Sequence, residues 1–361
     1  MKVCVYAIAL NEAHFAARLA ASCREADMVL VADTGSTDDT VAALRAEGVV
    51  VESISVKPWR FDDARNAALA LIPDDIDVCI SIDMDEVLLP GWRQALEAKW
   101  TPGVNQAYYT YIVSHRPDGS PEESFLNNRI HSRHGFRWRW PIHESLFADR
   151  TPVRLVVIEE LKIEHFPDLT KSRSQYLPLL EAAVKELPWE PRMSFCLGRD
   201  LLHARRYEEA REELERGLTL TAPNPPGLRN LTLRHIARCL DCLQRPDEAL
   251  DYFRRAADEG AEMRGAWLEL AQAYHERKMW PQCYETIRRV LDMPRGTFDY
   301  GFDTYLPIVA EDVAAIAAWT LGHKAEALEY GRKAAAEAPF DERIAGNLAT
   351  MERIMSAEAA G

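Results

Sequence analysis

Three acidic side chains fall within four residues at Asp83-Met84-Asp85-Glu86, directly after the apolar run Val78 to Ile82. Carboxylates packed this closely repel one another unless a cation sits among them. Hard oxygen ligands suit Mg²⁺ or Mn²⁺, and such ions are often held by one or two carboxylates plus substrate phosphates. The run therefore predicts a metal-bridged phosphate ligand. A lone Asp-x-Asp is common by chance, so it gains meaning only from its neighbours. A second segment is Val31-Ala-Asp33-Thr-Gly35-Ser36-Thr37-Asp38-Asp39. A strand delivers an Asp, a Gly allows a tight turn, and a Ser/Thr/Asp cluster opens a helix. Asp33 could accept from a nucleobase N–H or a ribose hydroxyl, or the segment could be a capped helix with a polar turn. In Phe61-Asp62-Asp63-Ala64-Arg65-Asn66, Arg65 stands early on a helix. It could reach a diphosphate there, or lie on the surface.

The elements around these residues alternate. Strands are expected at Val3 to Leu10, Asp27 to Ala32, Val49 to Ile54 and Val78 to Ile82. Helices are expected at Glu12 to Cys23, Val41 to Glu47 and Phe61 to Leu71. Short apolar strands separated by helices predict a mainly parallel sheet covered on both faces. Ligands of such sheets bind at the carboxyl ends of the strands, where Asn11, Asp33 and Asp83 all stand. From Val104 the pattern changes: Ala107 to Ser114 is β-rich, Pro117-Asp118-Gly119 is a turn, and Asn128 to Trp140 is basic and aromatic. This predicts a hairpin and loop added to the sheet, a candidate wall for an acceptor pocket. The cations of that stretch, including Arg129, His131 and Arg137, interleave with Trp138 and Trp140. They could stack on a sugar, a base or a peptide aromatic, or form an amphipathic hairpin.

Beyond about residue 190 the chain repeats. Ala210, Ala249, Cys283 and Ala327 each precede a helix's apolar run. Their intervals scatter about the roughly 34-residue period of tetratricopeptide repeats. Insertions around 222–227 and 295–306 account for the uneven spacing. The expected division is 1–170 for the sheet domain, 171–189 for a linker helix (Ser172 to Pro188 within it) and 190–361 for the repeats.

Bulk numbers narrow the classes. The 361 residues suffice for two domains. The net charge of −14 argues against gripping nucleic acid. Seven scattered cysteines give no disulfide framework, and Cys239-x-x-Cys242 has no second pair beside it. The first ten residues read as a strand rather than a signal peptide, and no apolar run approaches membrane-span length. A soluble protein of a reducing, cytoplasmic compartment is expected.

Taken in order, the segments resemble glycosyltransferase family 2, which has the GT-A fold. The likeness is carried by Ala9-Leu-Asn11-Glu12, Val31-Ala-Asp33-Thr-Gly-Ser-Thr-Asp38, Ala64-Arg65-Asn66 and Asp83-Met-Asp85-Glu86. Trp140-Pro-Ile-His143-Glu144 and Glu164-His165-Phe166 are similar to segments of a subgroup with C-terminal tetratricopeptide repeats. That subgroup includes the sublancin-type peptide S-glycosyltransferases. The resemblance implies an α/β GT-A (Rossmann-like, mainly parallel) domain followed by an all-α repeat domain. It implies Mn²⁺ or Mg²⁺ and a UDP-sugar donor of the glucose or N-acetylglucosamine type. Asp83 would contact the donor's ribose or sugar and Asp85 the metal, with Asp83 close to the ion. Asp33 would recognise the nucleoside, above Asn11 and Glu12, while Arg65 and Arg129 would serve the phosphates. A third metal ligand would come from His165 or His143.

The family is mostly inverting, so a general base is needed. Many members carry it in a Glu-Asp or Asp-Asp pair after the metal segment, and none stands between Val87 and Leu161. Glu144, beside His143, is the best substitute, although the two could instead be a buried pair that shapes a loop. Glu159-Glu160 is weaker, since it reads as a polar turn. The acceptor would be a peptide, protein or glycan, and the repeats could serve that partner or a homodimer. Transfer to a modified nucleobase of phage DNA is a further alternative. So is a repeat scaffold with a non-catalytic sheet domain. A nucleotidyltransferase would want a Gly-rich phosphate loop after the first strand, and none follows Leu10.

Overall fold

The computed structural model describes residues 1–115, 119–149, 152–168, 176–222, 227–294 and 309–360. The expected turn at Pro117–Asp118 and most of the insertions at 222–227 and 295–306 lie outside them. The chain divides into two compact units, Met1–Ala183 and Val184–Gly361.

Unit 1 begins with β1 (Val3–Ala9), α1 (Ala16–Ser22), β2 (Met28–Asp33), α2 (Thr40–Ala46), β3 (Val50–Ser53), α3 (Phe61–Ala70) and β4 (Val78–Ser81). These are the expected elements, except that a 3-10 turn at Ala13–Phe15 precedes α1. Next come β5 (Glu86–Leu88), α4 (Trp92–Lys99), β6 (Gln106–His115), β7 (Pro121–Ser132), β8 (Phe136–Arg139), β9 (Ser145–Ala148) and β10 (Leu155–His165). The main sheet has eight strands in the order β3-β2-β1-β4-β7-β6-β10-β5. The first four run parallel. β7 is antiparallel to β4 and β6, β10 is parallel to β6, and β5 is antiparallel to β10. β8 and β9 pair separately.

Alternation along β1 sorts the core into two layers. Val3, Val5, Ala7 and Ala9 pack with Leu19, Leu44, Trp92 and Leu96 on one face. Cys4 and Tyr6 pack with Leu30, Ala68, Leu69 and Ile72 on the other. The sheet is thus buried on both faces along β1 and β4, as their apolar sequences require.

The structure departs from expectation in two places. The hairpin expected within residues 107–140 is the antiparallel pair β6–β7, but it is built into the sheet rather than set beside it. β6 and β7 enter the main sheet, and β7 lies against β4 through the pair Ile80–Ile130. Fully buried Ala107, Tyr109 and Ile130 suit them to a central position. Nor is Glu159-Glu160 a turn. β10 runs through it, and a register shift between Ile158 and Lys162 leaves both acids exposed.

Helix α5 (Tyr176–Glu186) occupies part of the expected linker, whose residues 171–175 lie outside the described set. Unit 2 is then a series of helices: α6 (Pro191–His203), α7 (Tyr207–Leu220), α8 (Gly227–Cys242), α9 (Pro246–Glu259), α10 (Arg264–Glu276), α11 (Trp280–Asp292), α12 (Ala310–Thr320), α13 (Lys324–Glu337) and α14 (Glu342–Ala360). They pack as successive pairs, α6 on α7 through α12 on α13. Ala210, Ala249, Cys283 and Ala327 are all fully buried, so the repeat read from small residues is a packing repeat. The backbone repeats with it. Arg205, Gln244, Lys278 and Gly322 all have positive φ, at 60°, 60°, 56° and 85°, each two residues before the second helix of its pair. All seven cysteines are free thiols. Burial pushes the Cys239 thiol up to about 12, as befits a core filler.

Candidate active site

The carboxyl end of β4 meets five other elements of unit 1. Asp83 follows β4, and Glu86 opens β5. Its register partner on β10 is His165. Tyr111 comes from β6, Arg129 from β7, Arg65 from α3, and Glu144 from the segment before β9.

Asp83 faces two arginines. Its Oδ1 accepts from Arg65 Nη2 at 2.5 Å and its Oδ2 from Arg129 Nη1 at 2.9 Å. Burial alone would raise the Asp83 carboxyl, but the two guanidinium groups outweigh it and hold the group well below its usual range. The Asp83 side chain is still 35% exposed, which keeps it within reach of a ligand. Glu86 is sealed. Its Oε1 accepts from Tyr111 Oη at 2.7 Å and its Oε2 from the Asp83 amide at 2.9 Å. Burial, then the Asp83 charge, pushes the Glu86 carboxyl up to about 7. The acidic run is thus three groups in three settings.

Asp85 takes the third setting. His165 Nε2 lies 3.2 Å from Asp85 Oδ2, and each side chain is 21% exposed. Burial lowers the His165 pKa, but the bond to Asp85 and its charge outweigh this and raise it. The amide of Phe166 donates to the Asp85 carbonyl at 2.8 Å and locks the pair's backbones together. Among the described residues no three His, Cys, Asp or Glu side chains converge as a ready metal cage. A carboxylate and an imidazole side by side nonetheless fit a divalent ion that takes its remaining ligands from a diphosphate. Of the two candidate histidines, His165 stands at this position. His143 instead sets its ring edge-on to Tyr176, with centroids 6.2 Å apart. Asp83, expected close to the ion, has Oδ1 on Arg65 and Oδ2 on Arg129.

Arg65 is not a surface residue. It is 3% exposed, and its Nε donates to Glu144 Oε1 at 2.5 Å. Its Nη1 donates to Ser81 Oγ at 3.2 Å. Burial opposes its charge, but Asp83 and Glu144 raise the pKa above its ordinary value. Glu144 is therefore held from α3, on the same guanidinium as Asp83. Trp140 and His143, with φ of 81° and 51°, flank the approach to it. Left-handed backbone at non-glycine residues is strained, and such strain gathers at functional sites.

The Asp33 segment is a closed loop. Asp33 is buried, and its carboxylate accepts from the amides of Gly35 and Ser36, both at 3.1 Å. Asn11, at φ 55°, accepts from the Thr37 amide at 2.7 Å through Oδ1. The Glu12 amide donates to Thr40 Oγ1 at 2.7 Å. The residues expected to read a nucleoside thus first shape the loop, an Asx-type turn, while α2 beyond it has no side-chain cap at Asp39. Gly35 has φ 114°, which only glycine adopts without strain.

Sequence reasoning missed Ser81 and Tyr111, and left Trp138 open between stacking on a ligand and lying in an amphipathic hairpin. The alternating Phe136-Arg-Trp138-Arg could have marked Trp138 as inward-facing, and Phe136 and Trp138 are indeed the buried pair. Nothing local marks Tyr111, which reaches Glu86 only because β6 joins the sheet.

No protein-family model matches the chain, and no curated protein matches it either. Solved structures similar to it are tetratricopeptide-repeat proteins. One from Parabacteroides merdae is 16% identical, covers 51% of this chain and 67% of its own, and has a TM-score of 0.39. YrrB, a repeat protein with an unusual peptide-binding site, is 17% identical over 48% of this chain and 81% of its own, at 0.37. MamA is 15% identical over 49% and 99%, at 0.38. At these scores the likenesses carry nothing about activity. The recurring helix pair with its left-handed turn is what marks unit 2 as a tetratricopeptide-type region.

Proposed function

We propose that unit 1 is a metal-dependent glycosyltransferase that moves a glucose- or N-acetylglucosamine-type sugar from a UDP-sugar to a peptide, protein or glycan. The observation that carries this reading is the placement of Asp83 and the Asp85–His165 pair at the carboxyl end of β4, where open α/β sheets bind their ligands. The sheet order and the motif resemblance support it. Asp85 and His165 would hold a Mn²⁺ or Mg²⁺ ion, which when bound neutralises a leaving diphosphate. Asp83, fixed by Arg65 and Arg129, presents a charged carboxylate to donor hydroxyls. Glu144 serves as the base. With Oε1 on Arg65, Oε2 takes the acceptor's proton. The acceptor heteroatom forms a bond to the anomeric carbon, the bond from that carbon to the diphosphate oxygen breaks, and its electron pair leaves with UDP. The scaffold reading has one observation in its favour: with Arg65 and Arg129 beside Asp83, the carboxylates can persist together without any catalytic need.

One experiment decides between them. UDP with Mn²⁺ is expected to raise the melting midpoint, because a ligand that binds only the folded state stabilises it. Asp85→Ala should remove the metal-dependent part of the shift. Glu144→Gln should keep the shift and lose transfer to a peptide or glycan panel. The absence of any shift, together with no donor hydrolysis, selects the scaffold.

A further inference from the structure

We propose that Arg65 is a positioning residue that sets Glu144 in register with Asp83, and that a buried relay of His131, Tyr6 and Trp138 holds Arg65 in place. The catalytic part of this inference rests on the transferase reading. Asp83 belongs to the end of a central strand, whereas Glu144 lies in irregular backbone between β8 and β9. Two such groups keep a fixed separation only if something rigid spans them. The Arg65 guanidinium does so, with bonds of 2.5 Å to Glu144 and 2.5 Å to Asp83. Its planar fork fixes both directions at once, which a lysine ammonium cannot do. The rest of α3 grips the same segment. Asn66 exchanges two bonds with the Trp138 backbone, both 2.9 Å, and the Phe61 amide donates to the Pro141 carbonyl at 2.9 Å.

Beneath Arg65 lies the Trp138 ring, 5.0 Å from the guanidinium carbon to the ring centroid. Trp138 Nε1 donates to Tyr6 Oη at 2.8 Å. Tyr6 Oη stands 3.0 Å from His131 Nε2, and His131 Nδ1 stands 2.8 Å from the Ser132 carbonyl. A carbonyl only accepts, so the imidazole proton is on Nδ1 and Nε2 accepts from Tyr6. The Tyr6 hydroxyl then has a lone pair for Trp138, and every polar atom of the relay is matched. All three side chains are at most 1% exposed. Burial pushes the His131 ring down to about 4, which agrees with a neutral imidazole. A satisfied buried relay rigidifies its members, and here the last member carries the face on which Arg65 rests.

The test uses the full-length chain, its Arg65→Lys and Tyr6→Phe variants, UDP-glucose or UDP-N-acetylglucosamine, and Mn²⁺. Near-UV circular dichroism first checks that each variant is folded. Arg65→Lys is expected to lower kcat by about 100-fold, the scale of a small misplacement at a reacting centre. Tyr6→Phe is expected to lower it by about 10-fold, the scale of losing an outer-shell partner. KM for the donor should change by less than about 3-fold in Tyr6→Phe, and in Arg65→Lys it should change less than kcat does, since Arg129 still holds Asp83 Oδ2. Amide exchange over residues 138–146 should quicken in both variants. Folded variants with wild-type kcat overturn the catalytic part, and unchanged exchange overturns the positioning itself. Exchange needs no substrate. A wild-type chain with neither donor hydrolysis nor a UDP–Mn²⁺ shift therefore defeats the transferase reading, while exchange still decides whether Arg65 registers the segment.

Discussion

The two units bury charge in opposite ways. In unit 2, Arg234 on α8 pairs with Glu269 on α10, and Arg238 reaches the same carboxylate at 2.6 Å. Arg234 is 1% exposed and Glu269 4%, so this cluster is sealed. In unit 1, Arg65 is equally sealed, but its partner Asp83 opens to solvent, as do Asp85 and His165. Sealed pairs join neighbouring helices or strands. Half-open ones keep a face for something else. Degree of opening, rather than presence of charge, separates the Asp83 and Asp85 carboxylates from Glu269.

The largest expected effect breaks the sealed side. Glu269→Ala leaves the Arg234 guanidinium buried without its carboxylate, and removing one partner of such a pair costs about 3–5 kcal/mol. Urea unfolding should show this loss, with faster amide exchange confined to unit 2. The next effect is set by pH. His131 titrates near 4 in the fold against 6.5 ordinarily. Between those values the unfolded chain binds a proton that the folded chain does not, so the His131 contribution is fully present above pH 6.5 and is lost as the pH drops towards 4, while Glu86, pushed up to about 7, contributes with the opposite sign over the same range. The His131 total is about 3 kcal/mol. His131→Gln should tilt the stability–pH curve between pH 4 and 6.5 towards greater stability at the acid end, because the Glu86 contribution is then less opposed. A residual slope should remain from His235 in unit 2, which burial, then nearby arginines, keep well below the ordinary value.

Smaller effects sharpen the comparison. Gly322→Ala should cost about 1 kcal/mol, because φ of 85° suits glycine. Lys278→Gly at the equivalent turn should be neutral or slightly stabilising in thermal melts. Asp85→Ala should change ligand-free stability least, by under about 1 kcal/mol, as expected for a pair open to water. If it instead destabilises as much as Glu269→Ala, the Asp85–His165 pair belongs to the framework.

Much of the frame was legible in the chain. The apolar runs ending at Ala9, Asp33 and Ser81 read directly as strands, because burial on both faces leaves no polar alternation to confuse them. Ala210 and its counterparts marked the repeats, because a helix crossing leaves room only for a small residue. What stayed hidden depends on long-range pairing. Arg65 sits two and three residues after two acids and resembles any surface cation until Asp83, Ser81 and Glu144 converge on it. Glu86 reads as part of an acidic loop, yet it is sealed by Tyr111 and by a strand that arrives 25 residues later. Glu159-Glu160 reads as a turn because a bulge within a strand has no apolar signature.

The place of β7 in the sheet sets an order of assembly during synthesis. The strand bearing the acidic run stands at an open edge until residues 130–132 have left the ribosome, since Val78, Cys79 and Ile80 find their partners there. An unpaired edge that apolar is a template for pairing with another chain. Nascent chains of about 100 residues, stalled or cleaved, should therefore self-associate through β4, whereas chains extended past β7 should not. The strand that closes that edge is also the one that carries Arg129 to Asp83, so a chain that ends before β7 lacks both the partner for β4 and one counter-charge of the acidic run.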